Sequence, residues 1–157
     1  MGVMRLTYEE LLGQADSENL TVKEKNIPGY GGRIFGNRIA IHNGIDTEIE
    51  KACILAEELG HYHTTTGNIL DQSKVENRKQ ERKARIWAYN KQIGLLGIVK
   101  AYQQGCRNRY EVAEYLGVTE EFLDDALKAY RSKYGIYAIV DNYIIYFEPA
   151  IGVMEIR

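Results

Sequence analysis

Two adjacent carboxylates followed three positions later by an imidazole, in the run Glu57-Glu58-Leu59-Gly60-His61, are the side chains in this chain best suited to chemistry. On a helix, positions i and i+4 share a face with Cβ atoms ~5–6 Å apart, so Glu57 and His61 can grip one cation between them. Glu58 is turned roughly 100° from Glu57, because a helix has ~3.6 residues per turn, and can address a water on that cation without ligating it. Ligand, general base and ligand are the stations of a His-Glu-x-x-His zinc hydrolase, with Glu standing at the first. Zn²⁺ accepts a carboxylate oxygen at about 2.0–2.2 Å, so the chelate survives this exchange. The charge does not: one carboxylate more makes the metal centre less positive, which predicts a less acidic bound water and slower hydrolysis, or a higher pH optimum.

Other candidates are weaker. His63 lies two residues from His61, on the opposite side of a continuous helix, and reaches the same ion only if the helix frays after Gly60. His42 reads as a surface residue, and Tyr62 is one of several tyrosines that could steady an oxyanion. Cys53 and Cys106 are the only thiols, which excludes a disulfide framework and makes both core residues.

The element that must carry the first motif is a helix opening at Thr47-Glu48-Ile49-Glu50, a capping-box sequence, and running to about His61. Ile49, Cys53, Ala56 and Leu59 supply its apolar stripe. Upstream, Thr7 caps a short helix to Gln14, residues 20–23 read as extended, and residues 33–35 and 38–41 form a hairpin turned at Gly36-Asn37. Downstream, a helical pattern from Asp71 to about Tyr102 is interrupted at Gly94 and Gly97, with Gly67-Asn68 ending the helix before it. Helices over 109–116 and 119–132 follow, then a second hairpin from residues 136–140 and 143–147 before Pro149. The class is α+β with a helical middle.

The run Leu55-Ala56-Glu57-Glu58-Leu59-Gly60-His61-Tyr62, followed by Gln80-Glu81-Arg82-Lys83-Ala84-Arg85-Ile86-Trp87-Ala88, resembles the ImmA/IrrE family of metallopeptidases of phages and mobile elements. In that family an HELGH helix precedes a helix of the form E-x-x-A-x-x-F-A, a pattern in which Glu81, Ala84, Trp87 and Ala88 stand here. The resemblance implies a zincin-like fold, a Zn²⁺ cofactor, Glu58 as general base, and His61 and Glu81 as metal ligands. Glu57 occupies the first-ligand position, where the family has His; this departure bears on catalysis more than on fold. It further implies a metallopeptidase core over residues 1–104, with residues 105–157 as a helix-turn-helix-like pair and hairpin packed on it. The implied activity is endopeptidase cleavage of a protein, a helix-turn-helix repressor from a phage or mobile element. The competing expectation, favoured by Glu57, is an inactive peptidase-like module that regulates a repressor or toxin partner by docking.

Composition sets the outer bounds. The 157 residues carry 45% hydrophobic and 27% charged side chains with a formal charge of -2, which excludes a disordered chain and offers no bulk attraction to nucleic acid. No apolar run reaches the ~20 residues of a membrane span, and Met1–Arg5 lacks a signal-peptide core, so the expected location is the cytoplasm. The 109–131 segment has the form of a helix-turn-helix, with Gly117 at the turn and Val118, Phe122 and Leu123 in the corner. Its second helix would present Glu120, Glu121, Asp124 and Asp125 to phosphates, which disfavours direct DNA binding there.

Overall fold

The Thr7 and Thr47 hydroxyls both cap their helices as expected, and at Thr7 the reciprocal glutamate bond closes the box. In a computed structural model, which describes residues 6–65 and 74–157, helix α1 (Tyr8–Ser17) opens on Thr7, whose hydroxyl accepts from Glu10 N while Glu10 reaches back to Thr7 N. Strand β1 (Thr21–Lys25) follows, then the hairpin of β2 (Gly32–Phe35) and β3 (Arg38–His42). The sheet order is β1-β3-β2, with β1 parallel and β2 antiparallel to β3. The parallel pairing is reached through the crossover over residues 26–37, which carries β2, and no local signal announces it. Helix α2 (Glu48–Thr64) packs on the inner face of this sheet, where Ile39 and Ile41 are buried.

The chain forms two compact units, residues 6–88 and residues 89–157, the boundary falling within helix α3 (Lys74–Gln92). The first unit buries Tyr8, Leu11 and Ala15 of α1 together with Ala52, Leu55, Ala56 and Leu59 of α2. A polar clamp ties its elements: the Tyr8 hydroxyl donates to Glu24 at 3.1 Å, and Lys51 pairs with Glu24 at 3.1 Å. Burial and the Glu24 carboxylate push the Tyr8 phenol up to about 12. His42 is half-buried, and its Nδ1 accepts the Ile27 N–H at 3.2 Å, so it holds a turn where a plain surface residue was expected.

The second unit contains α4 (Gly94–Gln103), α5 (Arg109–Leu116) and α6 (Glu120–Tyr134), then β4 (Tyr137–Val140), β5 (Tyr143–Tyr146) and β6 (Gly152–Glu155) in an antiparallel sheet. Gly94, at φ +65, separates α3 from α4 as its position suggested. Gly97 does not break the helix; it lies buried inside α4, where a Cβ would stand 3.4 Å from a Leu116 methyl. Asn108 and Thr119 cap α5 and α6, and Gly117 turns between them at φ +68. Strand β6, which pairs with β5, lies beyond Pro149, where the sequence pattern ended. The expected starts and stops at Gly67-Asn68 and Asp71 fall outside the described residues. Among the described residues no helix is long and apolar enough to cross a membrane.

Candidate active site

Helix α2 owes its orientation to a stripe that differs slightly from the one its sequence suggested. Ile49 is 44% exposed, whereas Leu55 is fully buried; Cys53, Ala56 and Leu59 are buried as expected, and Ala52 and Leu55 widen the inward stripe. The helix starts with the Thr47 hydroxyl accepting from Glu50 N at 3.1 Å and continues unbroken past Gly60 and His61 to Thr64. Gly60 is a crossing point and no fraying point. A Cβ built on it would overlap the Ala84 carbonyl oxygen and lie 3.0 Å from the Ala84 carbonyl carbon, so only glycine lets the α3 backbone come this close. One turn before Ala84 stands Glu81, and next to Gly60 stands His61; the crossing therefore delivers them to each other. His61 Nε2 lies 3.1 Å from Glu81 Oε2. The other Glu81 oxygen accepts from Arg85 Nε at 3.2 Å, which fixes the carboxylate plane.

Glu58 is the buried member of the group, 9% exposed. Its Cγ would be 3.1 Å from a Cβ on Gly32, so the absence of a side chain in β2 makes room for it under the strand. Burial foremost, then the neighbouring charges of Glu57 and Glu81, raise its carboxyl from 4.5 to about 7, with Arg33 opposing. A carboxyl so placed exchanges protons near neutral pH, as a general base requires. Glu57 is half-buried on the same helix.

His63 has a different task. Its Nε2 is 2.8 Å from Glu18 at the end of α1, its ring stacks on Trp87 with centroids 4.8 Å apart, and Tyr62 meets it edge-on. These contacts pin the last turn of α2 to α1 and α3. Neither Glu18 nor Trp87 could be matched to His63 from sequence, since the three come from distant parts of the chain. Gly32 and Arg33 were likewise missed, for they carry no motif. Arg85 was legible in principle as the i+4 partner of Glu81.

The donor set fits zinc at two positions. Two ligands of a tetrahedral ion with bonds of about 2.0–2.2 Å stand roughly 3.4 Å apart, so the His61–Glu81 pair needs to open by only a few tenths of an ångström. Among the described residues, however, no group of three or more His, Cys, Asp or Glu side chains is gathered closely enough to hold a metal ion. The pair is assembled and the third place is not.

Comparison with known proteins gives one match. The family model for the IrrE N-terminal-like domain of the M78 peptidases covers residues 8–128. No curated protein and no solved structure matches the chain.

Proposed function

The chain belongs to the IrrE N-terminal-like peptidase family, and from that premise we propose that it is a zinc-dependent endopeptidase acting on a protein, a helix-turn-helix repressor of a phage or mobile element. The observation that carries this reading is the convergence of His61 and Glu81 at 3.1 Å from two helices, with the buried Glu58 three residues before His61. His61 and Glu81 would hold the metal, with Glu57 completing the set. Zinc, when bound, supplies a Lewis acid that polarises the scissile carbonyl and lowers the pKa of water. Glu58 takes one proton from the attacking water as the C–O bond forms. It passes that proton to the leaving nitrogen as the C–N bond breaks. Strand β2 is a sheet edge, and its Gly32 lies against Glu58, so an extended peptide pairing with β2 would run past the carboxylate.

A second reading has its own support. Glu57 in place of His lowers the positive charge of the centre, and the described residues gather no third ligand. On that reading the chain keeps the peptidase fold and controls a repressor or toxin by docking.

Metal content separates the two. Freshly purified protein should retain about one zinc per chain, lose it in His61→Ala and Glu81→Ala, and cleave a repressor substrate only with Glu58 intact. Retention of no divalent metal at micromolar supply, with retention restored by Glu57→His, would establish the docking module instead.

A further inference from the structure

The outward face of the first sheet carries a cluster of cations, of which the peptidase reading uses only Arg33, through its field on Glu58. Glu24 points inward to Tyr8 and Lys51, so Lys23 and Lys25 share the opposite face of β1. Ile39 and Ile41 are buried, which places Arg38 and Ala40 outward on β3. Gly32 faces α2, which places Arg33 and Phe35 outward on β2. The register then sets Lys23, Ala40 and Arg33 in one row and Thr21, Arg38 and Phe35 in the next. Small Ala40 forms the floor between two cations about 10 Å apart, twice the strand spacing. The result is a hollow of about 560 Å³ with four cationic residues on its walls. No carboxylate lines it, and none of the four cations forms an ion pair among the described residues.

The apolar part of this face is as unusual as its charge. Phe35 is 88% exposed beside Arg38, and Tyr30, 53% exposed, lies under the Arg33 guanidinium at 4.4 Å. Clustered like charges and a bare phenyl ring both raise the free energy of the isolated surface. A ligand that is polyanionic and also presents flat π faces relieves both.

We propose that this face binds single-stranded nucleic acid, with Lys23, Lys25, Arg33 and Arg38 on the phosphates and Phe35 as a platform on which a base stacks. An acidic peptide would answer the charge but leave Phe35 in water. A duplex hides its base faces and gives the ring nothing to stack on. None of its residues belongs to the α5–α6 pair, whose acidic second helix disfavours duplex DNA.

The test is fluorescence anisotropy of the full chain with labelled oligo-dT and oligo-U of about 12 nucleotides at about 50 mM salt. Binding should weaken with salt along a log–log slope of roughly -0.7 per phosphate neutralised, flattened by about that amount in Lys23→Ala and in Arg38→Ala. Phe35→Ala should weaken binding about ten-fold while leaving the circular dichroism unchanged. A duplex of the same length and a polyglutamate of equal charge should each bind at least about ten-fold less tightly than the single strand. Absence of binding to either single strand overturns the proposal, as does indifference to Phe35→Ala. Equal binding of polyglutamate overturns it in favour of an acidic protein partner.

Discussion

Glu58 is where burial and chemistry conflict. Its carboxyl titrates near 7 in the folded protein against 4.5 as an ordinary glutamate, so the native state holds a proton that the unfolded chain has released over that interval. Stability associated with this group is therefore fully present below about 4.5 and is lost as pH rises through about 7. The cost at alkaline pH is on the order of 3 kcal/mol. Glu58→Gln should abolish peptide cleavage yet raise the stability of the metal-free protein by that order at pH 8, with no gain near pH 4; urea denaturation with chelator present at both pH values checks it. An unchanged stability difference across the range would show that Glu58 is not buried as described. The residue identities of the motif were legible in sequence, since i, i+4 spacing is a property of any helix. The raised pKa was not, because it comes from Gly32 making room beneath β2 and from Glu81 on another helix.

Between elements, glycine does two distinct things. At Gly60 it removes a side chain where α3 crosses α2, and Gly60→Ala should force the helices apart, costing ~1–3 kcal/mol of stability and separating His61 from Glu81. A drop in the melting temperature together with loss of zinc retention would bear this out. At Gly117 the issue is backbone: φ is +68 at the α5 C-cap, so Gly117→Ala should cost about 1 kcal/mol without altering zinc retention. The contrast distinguishes a close approach from a left-handed turn. The sequence marked Gly117 correctly as a turn, considered Gly60 only as the place where α2 would have to fray for His63 to reach the ion, and took Gly97 for an interruption. All three are the same letter. Whether a helical glycine breaks the helix or admits a neighbour depends on what packs against it, as Leu116 packs against Gly97 and Ala84 against Gly60.

For the molecule taken whole, the decisive linkage is between metal and folding. If the reading as a zinc enzyme holds, zinc at about 100 times its Kd stabilises the native state by about 2.7 kcal/mol. In a chain of 157 residues that corresponds to a rise in melting temperature of roughly 5–10 °C. Differential scanning calorimetry with zinc and with chelator should show the rise in the natural protein and none in His61→Ala. A melting temperature indifferent to zinc in the natural protein would favour the docking module. The family match over residues 8–128 takes in the proposed site, all of α5 and the first part of α6. It leaves out β4, β5 and β6, whose presence as an antiparallel sheet was legible only for its first hairpin.

Local physics was enough for the helix caps, the Gly36-Asn37 turn, the separation of α3 from α4 at Gly94 and the spacing of Glu57, Glu58 and His61. Each depends on residues a few positions apart, whose interactions any fold of this chain would share. The union of His61 with Glu81, the capture of His63 by Glu18 and Trp87, the parallel seat of β1 and the charged outer face of the sheet depend on residues brought from distant parts of the chain. Such contacts follow from how apolar faces pack, a cooperative outcome that no spacing within a single segment encodes.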